Sequence, residues 1–209
     1  MRHKEEDYRY IYLRKMMSKY GVPMYYILTF LFIFMFQAAL AVAVNSTALY
    51  TTANSSAMSA TEGDKMQWTD WVGLGLFSSG LIMEAMSDRQ LQQHLSNPDP
   101  NKGKFCKIGF WRYSRHPNYF GDAMVWWGIF CFSLALPKGA WTIFSPLLMT
   151  FLLRYVSGVR LLEKKQSKHP EFAQYAAETS AFIPWFPDLN AKAAPSKKDD
   201  DYTVQKDEE

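Results

Sequence analysis

The run Met24-Tyr25-Tyr26-Ile27-Leu28-Thr29-Phe30-Leu31-Phe32-Ile33-Phe34-Met35-Phe36-Gln37-Ala38-Ala39-Leu40-Ala41-Val42-Ala43-Val44 holds 21 residues without a charge. As a helix it would cover roughly 30 Å, about the thickness of the hydrocarbon core of a bilayer. A buried helix of a soluble protein is rarely so uniformly apolar, so a transmembrane span is expected over 24–44. The run also changes how the bulk composition reads. The chain has 48% apolar residues and a mean hydropathy of −0.21, ordinary for a soluble protein, yet its apolar residues are gathered into runs with charges in blocks between them.

Three further spans are expected near 68–87, 119–136 and 141–159. In the first of these only Trp71–Met83 is free of charge, between Asp70 and Glu84. Its Gly73, Gly75, Ser78, Ser79 and Gly80 predict close helix–helix approach. The next two carry one ionisable group each, Asp122 and Arg154. Such groups are costly in lipid and should face the bundle interior or a wet cavity. Loop charges give an independent test. Residues 1–20 and 88–117 hold six Lys/Arg each, whereas 45–67 holds only Lys65 and the turn near Pro137 only Lys138. Basic residues thus alternate sides, and both termini and the 88–117 loop fall on the cytoplasmic or matrix-equivalent face. The expected architecture is all-α: a polytopic helical membrane protein with about four transmembrane helices. Residues 1–187 would form one membrane domain, and 188–209, rich in Ala, Lys, Asp and Glu, a disordered charged tail.

Composition also excludes several classes. A net charge of +3, with no basic stripe along a helix, does not suit nucleic-acid binding. Two cysteines, Cys106 in a polar loop and Cys131 in an apolar run, support neither a disulfide framework nor a Cys-based metal site. His116 has no second His or Cys at ligand spacing, so no metal is expected. The first twenty residues are charged, unlike a cleavable signal peptide. The sequons Asn45-Ser46-Thr47 and Asn54-Ser55-Ser56 are too common by chance to carry weight.

The segment Gly109–Asp122 concentrates the chemistry. Arg112, Tyr113, Arg115, His116, Asn118 and Tyr119 fall within eight residues, and Pro117 suits the first turn of a helix. Asn118 and Asp122 would then lie one turn apart on one face. A helix start flanked by Arg112 and Arg115 can receive a phosphate, with Trp111 and Tyr119 stacking on a ring. The competing reading is an interfacial anchor, with aromatics and snorkelling arginines at headgroup level. Glu84 and Asp88 share a face of the preceding helix, and Arg154, Arg160 and Glu163 close the last span; helix-end ion pairing would explain these equally well.

Ordered motifs bear on that choice. Ser87-Asp88-Arg89-Gln90-Leu91, then Gly109–Asp122 with Trp126-Trp127-Gly128, Ser157-Gly158 with Leu161-Leu162-Glu163, and Thr179–Pro184 follow one another at set spacing. With Glu6-Asp7-Tyr8-Arg9-Tyr10 and Gln37, they make residues 5–187 resemble the C-terminal half of the steroid 5-alpha-reductase-like membrane proteins. The Arg-His-Pro-x-Tyr core is less specific, being shared with sterol reductases and isoprenylcysteine carboxyl methyltransferases. The resemblance implies an NADPH pocket contacted by Asp88, Arg115, His116, Asn118, Tyr119, Asp122 and Arg154. It also implies that the helices holding substrate and the carbonyl-polarising Glu/Tyr pair in the steroid reductases have no counterpart here, so no catalytic acid is assigned.

The expected function is reduction of a lipid or sterol carbon–carbon double bond by NADPH. The alternatives are a non-catalytic accessory subunit of a membrane complex and, less favoured by Asp88-Arg89-Gln90, an S-adenosylmethionine-dependent methyltransferase. The expected partners are the lipid bilayer and membrane proteins completing the bundle, with no nucleic acid. Endoplasmic reticulum and mitochondrial inner membrane both remain open.

Overall fold

The computed structural model describes residues 26–28, 30–62, 66–96 and 103–192. Met24, Tyr25 and Thr29 of the opening run, the motif at residues 6–10, and residues 193–209 of the expected tail lie outside them. The described residues are helices joined by turns and irregular segments, with no strand among them. The chain divides into two units, one ending at Ser46 and the other beginning at Thr47.

In the first unit a π-helical turn, Phe30–Met35, leads into the start of helix α1, Phe36–Glu62, whose residues from Thr47 on belong to the second unit. Phe30, Phe34 and Phe36 are exposed. Helix α1 does not stop at Val44, where the sequence suggested a loop over 45–67. The polar residues that suggested the loop fold back onto their own helix. Asn45 Nδ2 donates to the Ala41 carbonyl, Thr51 Oγ1 to Thr47, Thr52 Oγ1 to Ala48 and Asn54 Nδ2 to Tyr50, all at 2.8–2.9 Å. Side chains that often compete with a helix are here satisfied by the carbonyl one turn back.

The second unit is built on helices α2, Trp68–Ser96, and α3, Pro117–Ser133. Two glycines seven residues apart on each helix let the backbones meet. A Cβ at Gly80 would lie 2.6 Å from the Gly121 carbonyl oxygen, and one at Gly128 would lie 2.8 Å from that of Gly73. The order of these pairs makes the helices antiparallel. Close approach through small residues is how helices pack where little apolar driving force separates them from lipid. Gly75, from the same sequence cluster, faces open space, and Ser79 Oγ donates to the Gly75 carbonyl of its own helix.

Beyond α3 the chain turns at Lys138, which adopts a left-handed φ of 61°. A 3-10 turn, Gly139–Ile143, follows, then α4, Phe144–Phe151, and a π turn, Leu152–Val156. Buried hydroxyls hold this junction. Ser133 Oγ and Thr142 Oγ1 are 3.0 Å apart, and Thr47 Oγ1 donates to the Thr142 carbonyl at 3.0 Å. After a break at Ser157-Gly158 come α5, Val159–Gln166, and α6, Pro170–Glu178. Leu153 and Val159 pack with Ala123 of α3 and Phe182 of the last segment, and Tyr119 and Phe120 lie against this cluster. Two residues after Pro187 bond back to α6: Asp188 N–H donates to the Glu178 carbonyl, and Gln174 Nε2 to that of Ala191.

Among the described residues one stretch, Gly139–Gln166, is long and apolar enough to cross a membrane, its most apolar 18-residue window having a mean hydropathy of 1.4. The expected all-α class holds for the described residues, and of the expected spans this stretch alone among them meets the length and apolarity that crossing needs. Helix α3 has only 17 residues, α2 carries Asp70, Glu84, Asp88 and Arg89, and the opening run lies partly outside the described residues.

Candidate functional site

The segment between α2 and α3 is fixed by its own side chains. Gly109, at a φ of 57°, lets the chain pass against Gln90, whose Oε1 accepts from the Phe110 N–H at 3.1 Å. The turn Gly109–Arg112 then places Trp111 against α2, where its Nε1 donates to the Ser87 carbonyl at 2.8 Å. Ser114 Oγ donates to the Phe182 carbonyl and accepts from the His116 N–H. His116 thereby becomes the last residue before α3, with Pro117 in its first turn as the sequence required.

Arg115 lies at the centre of this arrangement. Its Nε and Nη2 both reach Glu163 Oε1, at 2.8 and 2.7 Å. Its Nη1 donates to the Ala176 carbonyl at 2.9 Å and also to that of Thr179, while its backbone N–H donates to the Ser180 carbonyl. The guanidinium lies over the Phe172 ring, 5.7 Å from its centroid. Arg115 is therefore a brace that joins the start of α3 to α5 and α6. His116 is 2% exposed and stacks on Tyr119 at 5.8 Å, with the rings within 7° of parallel. Its Nε2 is 3.4 Å from Glu163 Oε1 and makes no hydrogen bond. Asn118 Nδ2 donates to Asp88 Oδ1 at 2.9 Å, leaving the buried Asn118 Oδ1 without a partner.

Beside these residues is a cavity of about 450 Å³, lined by Trp111, Arg115, His116, Asn118 and Tyr119 together with Leu162, Lys165, His169 and Tyr175. Lys104 and Phe105 also line it. Lys104 Nζ lies 3.0 Å from His169 Nδ1, and Phe105 stacks on Tyr175 at 5.4 Å. The Tyr175 hydroxyl donates toward the Cys106 and Trp111 carbonyls, at 3.1 Å each. Burial pushes that phenol well above its usual range and also raises the Cys106 thiol. Outside the cavity, hydrogen bonds from Gln174 and Lys107 hold the Glu178 carboxyl below the usual carboxylate range. The cavity thus has aromatic residues, a buried imidazole beside a carboxylate and two lysines in its lining, a combination that suits an anionic ligand with a planar ring.

Of the seven residues singled out from the sequence, Arg115, His116, Asn118 and Tyr119 line this cavity, and Asp88 is tied to it through Asn118. Asp122 instead accepts from Trp126 Nε1 at 3.0 Å, and Arg154 lies along two other grooves. The sequence reading placed Glu163 only at the end of a span and passed over Lys104, Lys165, His169 and Tyr175. A signal existed for Glu163, the single acid in the basic α5. The others come together only through the docking of α6. Among the described residues no cluster of His, Cys, Asp and Glu could hold a metal ion.

Comparison with known proteins gives three findings. A family described as a protein of unknown function (DUF1295) matches residues 1–179. An uncharacterised protein of Schizosaccharomyces pombe is 25% identical over 201 residues, covering 86% of this chain and 55% of the relative, so the chain spans about half of that protein's length. No solved structure matches.

Proposed function

This chain belongs to the DUF1295 family of proteins of unknown function, and we propose that it is a membrane-embedded, steroid-reductase-like protein that binds NADPH in the cavity beside α3. The observation that carries this reading is the meeting of His116, Asn118, Tyr119 and Trp111 with the cationic Lys104 and Lys165 around one cavity. Lys104 and Lys165 would bind phosphate, Trp111 and Tyr119 would face a ring, and the buried Asn118 Oδ1 could take a hydrogen bond from the ligand. Arg115 would position the cavity wall. NADPH would supply a hydride to an activated carbon–carbon double bond of a lipid or sterol, the chemistry that the resemblance to the reductases implies. Four transmembrane helices belong to this proposal, supported by the exposed apolar faces of α2, with Trp71, Leu74, Leu81 and Ile82, and of α4, with Leu147 and Phe151. The bilayer is then the first partner, in the endoplasmic reticulum or the mitochondrial inner membrane.

A titration of the detergent-solubilised full chain, read by NADPH fluorescence, tests the site. Saturable binding is expected, weakened about tenfold or more in the Lys104→Ala/Lys165→Ala variant as two charge-assisted contacts are lost. Absence of saturable binding would sink the proposal.

A second reading, a non-catalytic subunit completed by other membrane proteins, draws on a different observation. The polar groups of Arg115, Asp88 and Asp122 are engaged by protein partners, the pattern of a structural network. NADPH binding without turnover on any lipid enone would favour it.

A further inference from the structure

Two grooves outside that cavity adjoin along Gly139–Gln166 and share Arg154 and Tyr155. The first, of about 530 Å³, is walled by Leu147, Phe151 and Ile183. The second, of about 590 Å³, is walled by Arg160, Lys164 and Phe172. The surface therefore changes from apolar to basic along the one described stretch fit to cross a membrane. Its charge is unbalanced. Glu163 is the single acid in the second groove, and its carboxylate is already engaged by Arg115. Among the described residues no carboxylate pairs with Arg154, Arg160 or Lys164, and the Arg154 guanidinium rests over the Tyr155 ring at 5.4 Å. Arg154 also sits within a π turn, a distortion that recurs at functional positions. Beside Ile183, Trp185 and Phe186 are 70% and 79% exposed, as suits side chains at a membrane–water boundary.

The geometry points to a binding site for an anionic phospholipid, its phosphate held by Arg154, Arg160 and Lys164 and an acyl chain lying against Leu147, Phe151 and Ile183. A basic recess at the end of a membrane helix is a recurring receptor for acidic headgroups. The adjoining apolar groove favours a lipid over a free phosphate, which would leave that wall unused. This inference does not rest on the NADPH reading, because the two sites have no wall residue in common.

The test uses the delipidated full chain in neutral detergent, with thermal stability followed as phosphatidylglycerol, phosphatidylcholine, inorganic phosphate or NADPH is added. Phosphatidylglycerol should stabilise saturably and phosphatidylcholine should not. The Arg160→Gln/Lys164→Gln variant should bind phosphatidylglycerol about tenfold or more weakly, at roughly 1 kcal/mol for each cation lost. Both side chains are exposed, so the variant should keep the native elution profile and helix content. Equal stabilisation by phosphatidylcholine, full mimicry by inorganic phosphate, displacement of the lipid by NADPH, or unchanged lipid binding in the variant would each overturn the assignment. Loss of NADPH binding in the Lys104→Ala/Lys165→Ala protein with lipid binding intact would separate failure of one site from failure of the other.

Discussion

A guanidinium as buried as that of Arg115, 9% exposed, needs acceptors along its edges, and here a carboxylate and two carbonyls provide them. Lysine offers a point charge in place of that planar fork. Arg115→Lys should therefore lower stability by about 2–4 kcal/mol, since it leaves Glu163 and the carbonyls of Ala176 and Thr179 poorly satisfied. Thermal unfolding in detergent would read this as a lower midpoint, and an unchanged midpoint would remove Arg115 from its bracing role. The sequence marked Arg115 as important because a charge stood beside a helix start. It could not show where the charge points, since its partners lie 48 to 64 residues further along the chain. His116 and Tyr119 stack as residues three apart at the start of a helix can, although the sequence reading set Tyr119 beside Trp111 instead.

At the scale of elements, the contact between α2 and α3 depends on the absence of side chains. Gly80→Ala would drive a Cβ to 2.6 Å from the Gly121 carbonyl oxygen, and overpacking of this kind costs about 1–3 kcal/mol. Gly75→Ala meets nothing within 4 Å and should leave stability unchanged or raise it by up to about 1 kcal/mol through helix propensity. Comparing the two unfolding midpoints tests the interface directly, and equal effects would contradict it. The small residues that predicted close packing were visible in the sequence, but which of them faced α3 was not. That depends on helix rotation, which Gly121 and Gly128 of the partner helix fix. Helix α1 shows the opposite failure. A run of Asn, Ser and Thr after the apolar stretch read as the loop between two spans, yet each of four side chains is satisfied by a carbonyl one turn back.

For the whole molecule, the helical class was legible from long uncharged runs. The cavity was legible only on the wall supplied by consecutive residues, Trp111 to Tyr119. The rest of its lining comes from Lys104, Phe105, α5 and α6, and the Arg115 brace ties those two helices to the start of α3. Spacing along the chain carries no record of such docking. The proposed NADPH site lies in this cavity. Amide hydrogen exchange of the solubilised full chain, with and without saturating NADPH, tests it most directly. Slowed exchange is predicted in two separated segments, 104–119 and 162–169, with 147–155 and 180–183 along the apolar groove unchanged. Protection confined to that groove, or no protection anywhere, would contradict the account.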